Sequence, residues 1–118
     1  MRTFDVPESL LPGAVIVLPF PYADRLAEKR RPALVVSSRD FARRHGIVWA
    51  AMITSAENAG WKDDVEIAIP AHSGLRAPSI IRPAKLATVD LARIVRTLGK
   101  VDDQEFASVR RAINRSLG

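Results

Sequence analysis

Lys29-Arg30-Arg31-Pro32-Ala33-Leu34-Val35-Val36-Ser37-Ser38 joins a dense group of positive charges directly to an aliphatic, β-branched run. The valines favour a strand, and Pro32 restricts the backbone at the point of entry. The expected arrangement is a charged loop over 22–31 that feeds a strand over 32–38. Just upstream, Gly13 opens another strand, Ala14-Val15-Ile16-Val17-Leu18, whose unbroken apolar character predicts burial on both faces. Pro19 and Pro21 should end it, because proline cannot donate to a sheet ladder. Two strands joined in this way hold positive charge at the rim of a rigid sheet, where it could meet a phosphate.

Further along, Asp40 to Arg44 predicts one helical turn stopped by Gly46. Ile47 to Ile53 reads as an apolar strand closing on Thr54-Ser55, with Trp49 in the core. Val65, Ile67 and Ile69 alternate with Glu66 and Ala68, the period of a half-exposed strand. Ser73 to Pro78 reads as a turn, Ser79 to Arg82 as a short strand, and 85–89 and 93–98 as weaker strands, the last broken by Gly99. Asp102 and Glu105 have capping-box spacing. Phe106, Val109, Ile113 and Leu117 then recur as one helical stripe. Short strands with frequent turns, closed by one helix, predict a mainly β protein with some α: a small barrel or roll with short helical turns and a C-terminal helix.

At 118 residues the chain is of single-domain size, read as a lead-in over 1–12 and one domain over 13–118. Without cysteine, disulfides and thiolate metal sites are excluded. The two histidines, His45 and His72, lack the spacing of zinc ligands, so neither a metal nor another cofactor is expected. No apolar run is long enough to span a membrane, and no leader pattern precedes the first strand, so a cytoplasmic protein without membrane contact is expected. The net charge of +5 is spread evenly over both halves, which suits a polyanionic partner and plain solubility equally.

The order of these blocks resembles the MazF/PemK family, the toxin halves of bacterial type II toxin–antitoxin systems. The residues that carry the resemblance are Gly13-Ala14-Val15-Ile16-Val17, Arg31 to Ser37, Ala50 to Ser55, Gly74 to Arg82, and Leu98-Gly99-Lys100-Val101 before the acidic helix cap. The resemblance implies an SH3-like barrel of CcdB/PemK type, usually a homodimer. It also implies metal-independent endoribonuclease action on single-stranded RNA, and neutralisation by a small acidic antitoxin. The related CcdB toxins share the barrel but poison DNA gyrase without catalysis. A CcdB-like inhibitor and a barrel that binds nucleic acid without cutting it are therefore the alternatives.

RNA cleavage without metal uses the 2′-hydroxyl as an internal nucleophile. The protein must then stabilise charge on the phosphorus and move two protons. Arginine suits the first task, since it donates to phosphate in a fork and stays charged, and Arg31 is the expected phosphate-stabilising group. Thr54, at a strand end, is expected to donate to a phosphate oxygen or orient the 2′-hydroxyl. Arg82 matches an arginine that takes part in catalysis in PemK-like members. The acid expected two residues later is Ala84 here, and the acid usual after the opening glycine is Ala14. That leaves Glu28 as the nearest candidate for the general base, against the equally open reading of a solvated loop carboxylate. Lys29, Arg30, Ser79 and Lys85 are expected RNA contacts, and Trp61 a platform on which a base could stack. Asp63, Asp64 and Glu66 read as solvating an exposed strand.

Overall fold

The computed structural model describes residues 3–20, 29–68 and 70–118. Its strands are β1 (Ala14–Phe20), β2 (Lys29–Val35), β3 (Ile47–Ser55), β4 (Val65–Ile67), β5 (Ser79–Asp90) and β6 (Arg96–Lys100). They form one curled antiparallel sheet in the order β4-β5-β3-β2-β1-β6. Its helices are α1 (Arg39–His45), α2 (Pro70–Ser73) and α3 (Asp103–Leu117). The mainly β half-barrel with a C-terminal helix agrees with the expected fold class.

Side-chain alternation along the central strands separates two cores, one on each face. Ala14, Ile16 and Leu18 pack with Ala33, Val35, Val48 and Ala50, together with Val6 and Leu10 from the segment before β1. Val15, Leu34, Ala51, Ile53 and Ile81 face the other way and pack with Val101 and Val109. The expected burial of β1 on both faces holds, since Ala14 through Leu18 are all buried. At 25 cal/mol per Å² or so, each fully buried aliphatic side chain contributes about 1.5–3 kcal/mol.

Among the described residues three prolines lie inside strands, although the sequence predicts that Pro19 ends a strand, Pro32 opens one and Pro83 separates two. Each sits where a ladder is one-sided or broken. Pro19 pairs with Arg30, but the pairing of β1 with β6 reaches only to Val17. Pro32 pairs with Val17, and β2 meets β3 only from Ala33 onward. Pro83 falls where the β3–β5 register slips between Met52↔Arg82 and Ala51↔Leu86. A missing N–H costs little at such positions. The slip also joins the two short strands expected around Pro83 into one twelve-residue β5.

The cationic run is consequently strand rather than loop. Lys29, Arg30 and Arg31 pair with Phe20, Pro19 and Leu18 in a ribbon that extends beyond the residues paired with β3 and beyond the start of β6. Gly99 is likewise inside β6, opposite Val15. A Cβ there would run into the carbonyls of His72 and Ser73, so the close packing of α2 on β6 requires glycine. Trp49 is about half exposed (47%) and leans on Phe41 with ring centroids 4.7 Å apart, so it is a surface residue and not core.

The ends of α1 and α3 follow local chemistry. The Ser38 hydroxyl accepts from the Phe41 N–H at 3.0 Å, and Gly46 closes α1 in the left-handed region. In α3, Asp102 and Glu105 form the expected capping box. Glu105 also accepts from the Ala68 N–H at 2.7 Å, which ties the helix to the chain leaving β4. Leu117, at the end of the apolar stripe, is exposed; Val109 and Ala112 are the buried centre of the helix.

Candidate active site

Antiparallel register explains why distant residues meet. Ala33 pairs with Met52, and Met52 pairs with Arg82. Residues in register point to the same face, as do residues two apart on a strand. Arg31, Met52, Thr54 and Arg82 therefore share one face, in line with Ala33 and beyond the end of its core. There Arg31, Met52, Ile53, Thr54, Arg82 and Lys85 line an open cleft of about 230 Å³. Three of the four expected catalytic residues and one expected RNA contact thus converge. Glu28 lies outside the described residues.

Arg82 is the best anchored of the group. Its Nε donates to Asp64 Oδ1 at 3.0 Å and its Nη2 to Asp64 Oδ2 at 3.0 Å, with a further bond to the Asn58 carbonyl at 2.8 Å. The guanidinium carbon lies 4.4 Å from the Trp61 ring centroid, and Lys85 Nζ 5.2 Å from it. Asp64 Oδ2 also accepts from the N–H groups of Trp61 and Gly60 at 3.0 and 3.3 Å. The Arg82 hydrogen bonds, aided by those backbone donors, hold the Asp64 carboxyl below its ordinary value against an opposing effect of burial. Asp64 in turn raises Arg82 above its already high value.

Asp64 is therefore a structural partner of the site and not a solvating surface charge. Asp63 differs: it stands in the left-handed region and pairs with Arg115 at 2.8 Å, while Glu66 is exposed. The signal that distinguishes Asp64 in the sequence is weak. It lies in a turn after Gly60-Trp61, and only the fold brings that turn over β5.

Thr54 is fixed from a second direction. Asn58 Nδ2 donates to Thr54 Oγ1 at 2.9 Å. The threonine oxygen accepts that bond, so its proton remains available to a phosphate oxygen in the cleft. Asn58 was not singled out by the sequence, yet it supports both Thr54 and Arg82. The remaining candidates divide clearly. Lys29, Arg30 and Lys85 are exposed, and Trp61 is about half exposed (49%). Ser79 is buried and donates to the Ala77 carbonyl at 2.9 Å, away from the cleft-lining set. His45 and His72 are exposed and do not line the cleft. Among the described residues, no group of three or more His, Asp or Glu is placed to hold a metal. No described helix is long and apolar enough to cross a membrane.

The cleft can bind a phosphodiester through Arg31, Lys85 and the Thr54 hydroxyl, with Arg82 at one wall. Two similar solved structures come from Deinococcus radiodurans. MazF (Form-I) is 27% identical, with 98% of this chain and 99% of that one covered and a TM-score of 0.72. A MazE–MazF complex (Form-II) is 26% identical, with 98% of each chain covered and a TM-score of 0.72. An endoribonuclease in complex with its cognate antitoxin from a mycobacterial species shares the fold, with a TM-score of 0.76 at 19% identity over 96% of each chain. No curated protein matches the sequence. The profile described as PemK-like, MazF-like toxin of type II toxin–antitoxin system matches residues 11–117. The chain belongs to this family of PemK-like, MazF-like toxins.

Proposed function

We propose that this protein is the toxin of a type II toxin–antitoxin pair and a metal-independent endoribonuclease that cuts single-stranded RNA. The observation that carries the reading is the convergence of Arg31, Thr54, Arg82 and Lys85 on one cleft. Similarity to MazF structures supports it. In this mechanism the substrate 2′-hydroxyl gives its proton to water and its oxygen attacks the adjacent phosphorus. The bond to the 5′-oxygen breaks and that oxygen takes a proton from water, leaving a 2′,3′-cyclic phosphate and a 5′-hydroxyl. Arg31 donates to the non-bridging oxygens as negative charge builds on them. The Thr54 hydroxyl, oriented by Asn58, donates to the same group. Arg82, held by Asp64, supplies a fixed positive wall, and Lys29, Arg30 and Lys85 add affinity. Trp61 offers a partly open ring to a neighbouring base.

We further propose a homodimer acting in the cytoplasm, with residues 13–118 as its functional unit. An apolar cleft of about 280 Å³ lined by Val36, Phe41, Trp49, Leu86, Ile113 and Leu117, among others, supports the dimer. The antitoxin would be a small acidic protein whose extended segment lies on the basic surface.

The test is incubation of purified protein with single-stranded RNA in excess EDTA. Fragments ending in cyclic phosphate, or in the 3′-phosphate from its opening, are expected. Intact RNA that remains bound would favour a second reading, a binder that does not cut. One observation favours that reading: among the described residues, no carboxylate or imidazole lines the cleft.

A further inference from the structure

A second cleft, of about 270 Å³, opens on the other side of β2 and meets the first at Arg31, which lines both. Its floor is set by register. Val17 pairs with Pro32 on one side and with Arg96 on the other, so Pro32, Val17 and Arg96 form a row across three strands. Arg30 lies two residues from Pro32 and faces the same way, as does Leu98 relative to Arg96. The turn carrying Gly74, Leu75 and Arg76 forms the opposite wall. Gly74 has a φ of +77°, and a Cβ there would collide with the Leu98 carbonyl. This close approach brings the backbone beside Arg76 down onto the floor strands.

Arg30, Arg31, Arg76 and Arg96 thus surround one groove, and no carboxylate is among its lining residues. None of the four has an ion-pair partner among the described residues, in contrast to Arg82 and Arg115. Four like charges with no counter-charge among the described residues repel one another and favour occupation by a polyanion. Their guanidinium forks suit phosphate oxygens, and Leu75 and Leu98 give the wall an apolar part that a ribose or base can contact.

We propose that this groove is a second RNA subsite, in which Arg76 and Arg96 hold the phosphate backbone of nucleotides flanking the one in the Arg31 cleft. The choice of RNA over an acidic peptide follows from continuity. A strand whose scissile phosphate sits on Arg31 has its neighbouring phosphates directed along either side of that residue, and this groove begins there. The identity of the polyanion rests on the nuclease reading above; the existence of the subsite does not require the RNA to be cut.

The experiment measures binding of 2′-O-methyl oligonucleotides, whose blocked 2′-oxygen prevents cleavage. A trinucleotide and a nonanucleotide are compared over a salt titration, with the parent and the double variant Arg76→Gln/Arg96→Gln. The parent should bind the longer oligonucleotide more tightly. In the variant most of that gain should disappear, and the slope of log K against log salt should become shallower by about 1.4, as two lost phosphate contacts predict. The control Arg43→Gln/Arg111→Gln removes the same charge from exposed positions elsewhere and should keep the parental slope. The proposal is overturned if the double variant keeps the length gain and the slope, or if the control loses as much. It is also overturned if the variant loses affinity for polyglutamate while its oligonucleotide binding is unchanged. Cleavage of RNA by the parent is scored separately. Length-dependent binding lost in the variant, with no cleavage by the parent, would leave the subsite standing and remove the nuclease reading.

Discussion

Arg82 and Asp64 form a two-point pair, Nε to Oδ1 and Nη2 to Oδ2, each at 3.0 Å, with both side chains about nine-tenths buried. In PemK-like members an acidic residue is expected two positions after this arginine, and Ala84 occupies that place. Asp64 brings a carboxylate to the same guanidinium from a turn eighteen residues away in sequence. The pair fixes where the positive charge stands, and it also removes Asp64 from the list of available bases, because its ionised form is already bound.

Replacing Asp64 with Asn should leave a folded protein whose Arg82 loses one charged partner. If Arg82 must be held in place, RNA cleavage should fall by about tenfold to a hundredfold, as small misplacements at reacting centres do. Single-turnover rates at saturating enzyme check this. A parental rate would mean that the pair is structural only.

The same pair gives a pH dependence with a definite sign. Asp64 has a lower pKa folded than unfolded, since the fold supplies Arg82 and the backbone donors. Its contribution to stability is present above the unfolded carboxyl value of about 4 and is lost as pH falls through the lower folded value. Urea midpoints of the parent should therefore drop over that acid range more than those of Asp64→Asn, and the two curves should converge at the acid end.

Lys85 and Trp61 are expected to act on affinity more than on chemistry. Lys85→Gln should raise KM by several-fold with kcat little changed and should reduce the salt dependence of binding by about 0.7 in slope. Trp61→Ala should weaken binding by about 1–3 kcal/mol if a base stacks on the ring. A fall confined to kcat in either variant would show that the residue works through Arg82 instead.

Glu105 offers a test of the fold apart from the site. It accepts from the Asp102 N–H at 3.1 Å and from the Ala68 N–H at 2.7 Å. Glu105→Ala should lower stability by about 1–3 kcal/mol, because two partly buried hydrogen bonds lose their buried acceptor. Denaturant unfolding checks the value, and cleavage per folded molecule should be unchanged.

Much of this fold is legible in the residues. The unbroken apolar run of β1, the Asp102–Glu105 cap and Gly46 at the end of α1 all report local rules that the tertiary structure leaves intact. The strand boundaries at Pro19, Pro32 and Pro83 are not legible, because a proline's cost depends on whether a neighbouring strand needs its N–H. That is a property of register. Trp49 misleads for a related reason: alternation along β3 turns it outward although the residues beside it are buried. In the site, Arg31, Thr54 and Arg82 stand out through family resemblance, and register then brings them together. Asn58 and Asp64 leave no comparable mark, since a turn acquires its role only when the sheet curls beneath it.

Arg31 lines both clefts, and the proposed reaction assigns it the charge that builds on the phosphate. The most direct measurement is single-turnover cleavage of single-stranded RNA in EDTA by the parent and by Arg31→Ala, with folding of both confirmed by circular dichroism. Cyclic-phosphate products are expected from the parent, with a rate about 10²–10³-fold lower in the variant, the usual loss when a group that stabilises transition-state charge is removed. Equal rates from the two proteins would contradict this role for Arg31.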